Sequence, residues 1–284
     1  MALDAPSLRA THTTPITRQN PGCILFLLDQ SGSMADPFTL PGEPEISRAK
    51  GVADVVNRVL MELVLACTKG ELVYDRFQVG VVTYGGTAAM APYFQGLRPL
   101  SEVAENPLDV ERRPIVNPGG STSDIFFPFW FEPRAEGGTP MCEAIRIAHG
   151  LIAPWVAQYP ESFPPIIFNI SDGESTDGSP LEGLRSLQAV STLDGPCLTF
   201  NCLLASGSGP QVVWPARAEQ VPEGNLRDLF EGSSVLPEAM RHRAAAAHKL
   251  SLESGARGVV LNVGLLDLVR LLDIGTPAND GGAR

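Results

Sequence analysis

No stretch of this chain is both long and apolar enough to span a bilayer, and its start, MALDAPSLRATHTTPITRQN, lacks the apolar run of a secretory leader. Both absences point to a cytoplasmic protein without membrane contact. Basic residues are scarce: 21 Lys and Arg stand against 32 Asp and Glu, a formal net charge of -11. Such a field repels phosphate backbones and argues against a nucleic-acid partner. The chain has no CxxC pair, no HExxH, no GK[ST] and no GxSxG, so a zinc site, a P-loop and a serine-hydrolase elbow are not expected. His12, His149, His242 and His248 lack ligand spacing and are expected in surface or packing positions. Cys23, Cys67, Cys142, Cys197 and Cys202 are odd in number and mostly have apolar neighbours, so they read as reduced, buried thiols. There is no internal repeat and no low-complexity tract.

What is present is ordinary core material, 44% hydrophobic against 19% charged, enough to bury a globular interior. Residues 23–29, CILFLLD, form a continuous apolar run without alternation, the pattern of a central parallel strand covered on both faces. From Ile46, apolar residues at Ala49, Ala53, Val56, Leu60, Leu63 and Cys67 step by threes and fours along one helical face. Lys50, Asp54, Arg58 and Glu62 alternate in sign on another face, as exposed i,i+4 pairs do. Further strands are predicted at 77–83, 165–171, 197–205 and 258–263, and helices at 140–156, 181–193, 236–252 and 265–272. Strands alternating with helices imply right-handed parallel crossovers, hence a doubly wound, mainly parallel α/β sheet flanked by helices. The expected organisation is a flexible arm over 1–21, one domain over 22–274 and a flexible tail over 275–284. Residues 96–138 and 206–234 read as long irregular insertions.

Three segments carry candidate chemistry. Asp29, Ser31 and Ser33 form a DxSxS loop directly after the first strand, placing a carboxylate and two hydroxyls together. Thr139, in Gly137-Gly138-Thr139-Pro140, precedes a helix whose favoured first position is taken by Pro140. Its hydroxyl is open to capping or to metal. Asp172, in Ser171-Asp172-Gly173-Glu174, ends another strand. Carboxyl ends of strands in an open parallel sheet are where ligands gather. All five side chains are hard oxygen donors, suited to Mg²⁺, with Mn²⁺ or Ca²⁺ as alternatives. Thr122, in Gly119-Gly120-Ser121-Thr122, is a rival to Thr139. A bland reading exists for each segment alone, an Asx turn or a helix cap.

The set LLDQSGSM, GGTPMCEAI and NISDGESTDG, in this order, resembles the metal-ion-dependent adhesion site of the von Willebrand factor A (VWA) family, over about 23–272. The resemblance implies a Rossmann-like VWA fold without catalytic activity. It makes Ser31, Ser33 and Thr139 hydroxyl ligands, with Asp29 and Asp172 holding the ion directly or through water. One coordination position is left for an Asp or Glu of a protein partner. Stand-alone bacterial members imply an adapter beside a MoxR-type ATPase or a protein kinase or phosphatase. Two alternatives stay open. A metal-dependent phosphohydrolase would use Asp29 as phosphoryl acceptor, though Ser31 stands where a DxD pair needs its second carboxylate. A metal-free scaffold is the other. The aromatic cluster at Phe126, Phe127, Phe129, Trp130 and Phe131 reads as local core, with a partner-binding lobe as the second reading.

Overall fold

The apolar runs become the centre of one sheet. A computed structural model describes residues 11–38, 45–86, 88–90, 96–116, 121–204 and 211–263. The elements that position the site are β1 (Gly22–Asp29), α1 (Arg48–Ala66), β2 (Phe77–Gly85), β3 (Ala88–Met90), β4 (Arg98–Pro99), α2 (Leu100–Glu105), β5 (Asp109–Val116), β6 (Thr122–Phe129), α3 (Met141–Gln158), β7 (Ile166–Ser171), α4 (Leu181–Ala189), β8 (Leu198–Leu204), β9 (Val212–Val213), α5 (Asn225–Glu231), α6 (Glu238–His248) and β10 (Val259–Val263).

The eight-stranded sheet runs β9-β10-β8-β7-β1-β2-β3, with β4 also on β2. The five strands from β10 to β2 are parallel, and antiparallel β9, β3 and β4 close the edges. This is the doubly wound arrangement expected from the sequence. Along β1, Ile24, Phe26 and Leu28 join an apolar layer with α1, α2 and α6. Cys23, Leu25 and Leu27 join the other layer with α3, α4 and α5. Burial on both faces is why this strand reads as an unbroken apolar run. β1 lies between β2, the next main strand, and β7, reached only after α3 crosses the sheet. The reversal of strand order therefore falls at the carboxyl ends of β1 and β7.

Several expectations are revised. Residues 109–129 form a regular antiparallel hairpin of β5 and β6 within the stretch read as irregular. Phe127, Trp130 and Phe131 are buried, whereas Phe126 is 74% exposed, so the aromatic cluster is mostly core. Asn57 of α1 locks the chain leaving the hairpin: its side-chain amide donates to the Phe131 carbonyl (3.1 Å), and its oxygen accepts from Trp130 N–H (2.8 Å). In the arm read as flexible, Thr13 and Thr14 N–H donate to the Asp194 carboxylate at 2.9–3.0 Å, and the His12 ring meets Phe163 edge-on. α4 stops at Ala189, short of 193, because Leu193-Asp194 turns a short hairpin between Ser191–Thr192 and Gly195–Pro196. α6 spans Glu238–His248, ended by Lys249 in the left-handed region at φ 52°. The helix predicted at 265–272 lies outside the described residues.

Candidate metal centre

Three loops meet at the sheet's switch point, and backbone hydrogen bonds fix two of them to each other. Gly32 N–H in the loop after β1 donates to Gly137 O (2.9 Å), and Glu136 N–H donates to Gln30 O (2.8 Å). Gly86, just beyond β2, braces the same junction: its N–H donates to Glu136 O (2.7 Å) and its carbonyl accepts from Gly138 N–H (2.9 Å). The approach is so close that a Cβ on Gly137, at φ 69°, would lie 2.2 Å from Gly86 Cα. The third loop joins at Thr176, whose N–H donates to Thr139 O (3.0 Å) and whose hydroxyl accepts from Thr139 N–H (2.9 Å).

Asp29 is the last residue of β1 and is 2% exposed. Its Oδ1 accepts from Ser31 N–H at 2.8 Å, the Asx-type turn that bends the chain into the loop. Its Oδ2 is buried with no hydrogen-bond partner. Burial pushes the Asp29 carboxyl up to about 6, hydrogen bonds from Ser31 pull against that, and the Asp172 charge adds to it. The Ser31 and Ser33 hydroxyl oxygens are 3.1 Å apart. Asp172 follows β7, its side chain only 5% exposed, with Oδ2 3.8 Å from Arg48 Nη1 and Oδ1 accepting from Glu174 N–H at 3.4 Å.

Thr139 is buried and makes no cap: α3 has no side-chain bond from its N-cap, Pro140. Asp177 supplies the cap, accepting from Cys142 N–H (3.0 Å) and Glu143 N–H (2.9 Å). Burial raises the Asp177 carboxyl, but these N–H donors outweigh it and leave it below the ordinary range. With the helix start served from 35 residues away, the Thr139 hydroxyl is released from that duty. Thr122, the rival, opens an exposed hairpin strand opposite Val116 and has no place in this junction.

These residues fit a hard divalent cation. The donors are hydroxyls and carboxylates, and a buried carboxylate oxygen with no proton donor is what a cation satisfies. Among the described residues no three or more His, Cys, Asp and Glu gather as a metal-binding group. A centre built largely on Ser and Thr has a different composition.

Sequence reasoning missed the supports. Beneath the junction, Tyr84 OH donates to Asn169 Oδ1 (2.7 Å), Asn169 Nδ2 donates to Asn201 Oδ1 (2.9 Å), and Asn201 Nδ2 donates to Ser233 Oγ (2.8 Å). Burial first, then the nearby Asp29 charge, holds the Tyr84 phenol well above its ordinary value. A signal existed: the strands β7 and β8 each contain Phe-Asn inside an apolar run, and the register sets Asn169 opposite Asn201.

No family model matches the chain, and no curated protein does. Solved structures do. The PilB minor pilin from Streptococcus sanguinis is 16% identical with a TM-score of 0.35, covering 57% of this chain and 32% of its own. The vWF domain of the type V pili tip protein Mfa5 from Porphyromonas gingivalis is 13% identical with a TM-score of 0.33, covering 55% and 39%. An uncharacterized membrane spanning protein from Vibrio fischeri is 20% identical with a TM-score of 0.27, covering 67% and 74%. The chain thus spans about two fifths or less of the two pilus proteins. The fold itself is a doubly wound, mainly parallel sheet flanked by helices. The cytoplasmic placement expected from the sequence is corrected by the two pilus proteins, which run against it. That expectation rested on the absence of an apolar run from the first residues given and of a bilayer-spanning stretch, and neither absence places a folded domain. Among the described residues no helix is long and apolar enough to cross a membrane.

Proposed function

We propose that the chain is a non-catalytic protein-binding domain whose partner is joined through a divalent cation, Mg²⁺ first, held by Asp29, Ser31, Ser33, Thr139 and Asp172. The observation that carries this reading is the unpartnered, buried Oδ2 of Asp29 at the meeting point of the three loops. The bound ion would supply an electrophilic position, and an acidic side chain of the partner would fill it. The chain's own residues fix donors on rigid loop junctions, and in the loop at Thr139 they move the capping duty to Asp177. A MoxR-type ATPase or a protein kinase or phosphatase is the class of partner proposed from the family resemblance alone.

A second reading, a metal-free interaction scaffold, has one observation in its favour: the Arg48 guanidinium already stands beside Asp172 and Asp36 as a counter-charge. A displayed peptide library selected in Mg²⁺ and again in EDTA separates the two. The metal reading expects binders that carry Asp or Glu, release in EDTA and fail on the Thr139→Ala and Asp29→Ala proteins. Binders indifferent to EDTA and to those substitutions would support the scaffold.

A further inference from the structure

Arg48 opens α1 and is 6% exposed, a rare position for a guanidinium unless it is paired. Its backbone N–H donates to Asp36 O (3.1 Å), and its Nη1 donates to Ser33 O (3.2 Å). The same nitrogen lies 3.4 Å from Asp36 Oδ2 and 3.8 Å from Asp172 Oδ2. Asp36 is 60% exposed on its side chain, so that pair is screened by water. Arg48 and Asp172, at 7% and 5%, are both withdrawn from water, where opposite charges are costly to separate. The arginine thus grips a carbonyl of the DxSxS loop and the carboxylate of the third loop at once.

We propose that Arg48 is a built-in cation of the centre. It steadies Asp172 when no metal is bound and opposes the dication when one arrives, so that the ion binds weakly alone and tightly only with a carboxylate from outside. The inference rests on the reading of the five donors as a metal centre. Asp29 and Asp172 by themselves would neutralise a dication. With the guanidinium beside them, and the charge of its exposed partner Asp36 screened by water, one positive charge is left over inside the centre, and an incoming carboxylate removes it. Asp172 keeps its backbone donor, Glu174 N–H, without Arg48, so removing the charge leaves the ligand in place and removes the repulsion.

The test follows free Mn²⁺ by electron paramagnetic resonance, with and without acetate as the carboxylate probe. Wild type is compared with Arg48→Met, Arg48→Gln and Arg48→Lys. The neutral variants are expected to bind Mn²⁺ on the order of ten-fold tighter without acetate, about 1.4 kcal/mol. They lose the strengthening that acetate gives wild type, whereas Arg48→Lys retains it. A merely structural role for Arg48 moves affinity the other way, because a loosened loop binds metal less well. Arg48→Gln keeps a donor for Ser33 O and serves if Arg48→Met does not fold. Mn²⁺ binding by wild type with no gain in the neutral variants overturns the role of Arg48 alone. No Mn²⁺ binding by any of the four proteins overturns the metal centre, and this inference with it.

Discussion

At the scale of single residues, the centre is a place where folding stability is given up. Asp29 is buried with one oxygen unpartnered, and its carboxyl titrates near 6, above its ordinary 3.8. A raised carboxyl means that the folded metal-free protein holds a proton to higher pH than the unfolded chain does. Between about pH 4 and about pH 6 the folded state binds more protons, so stability falls as pH rises, and above that window the penalty is complete. The shift corresponds to on the order of 3 kcal/mol. Asp29→Asn in EDTA is therefore expected to unfold at a higher temperature than wild type near neutral pH, with the gain fading by about pH 4. Scanning calorimetry across that range checks it, and an Asp29→Asn protein less stable than wild type at neutral pH would contradict the assignment. The carboxylate, serine and threonine positions were legible as candidates because they are hard oxygen donors beside strand ends and a helix start. Arg48 and Asp177 were not, since a charged residue at a helix start or in a turn ordinarily belongs to a solvated surface.

At the scale of elements, the three loops are held by backbone contacts that leave no trace in side-chain patterns. The Gly86 to Gly137 approach is one: Gly137 has a positive φ and no room for a methyl group. Gly137→Ala is expected to push the Thr139 loop off the DxSxS loop and weaken Mn²⁺ binding by roughly ten-fold or more, while the accompanying loss of stability stays modest, about 1–3 kcal/mol. Unfolding midpoints and metal titration on the same protein check the pair, and unchanged metal affinity would detach this junction from the site. The central strands were legible because burial on both faces makes each a solid apolar run. The hairpin was not: Pro114 and Pro128 interrupt its strands, Arg112, Arg113 and Glu111 blur the alternation, and a proline is tolerated there only because the ladder has two strands. Strand order is a property of the crossovers, and no local pattern encoded it.

At the scale of the whole molecule, the two apolar layers enclose most of the reactive chemistry. Cys23, Cys67, Cys197 and Cys202 are buried, while Cys142 is only partly covered. Burial raises the thiols of Cys23, Cys67 and Cys197. The Cys142 thiol is also raised by burial, with Ser175 Oγ 3.8 Å away. A disulfide reagent on native protein is thus expected to titrate Cys142 first and slowly, with the other four reacting only after denaturant is added. Mass spectrometry locates the label, and early modification of a buried cysteine would contradict the packing. The two-layer fold was legible from alternating strands and helices, whereas cellular location was not, because a folded domain's surface carries no address.

The central claim is that the three loops at the ends of β1, of β7 and before α3 hold a cation. Titration calorimetry tests it most directly, with chelator-stripped protein receiving Mg²⁺ and then Mn²⁺, wild type beside the Ser31→Ala/Ser33→Ala double variant. Saturable one-site binding by wild type and none by the variant is the predicted result, with both proteins unfolding at similar temperatures. Equal binding by the two, or no heat from wild type even with acetate present, would contradict it.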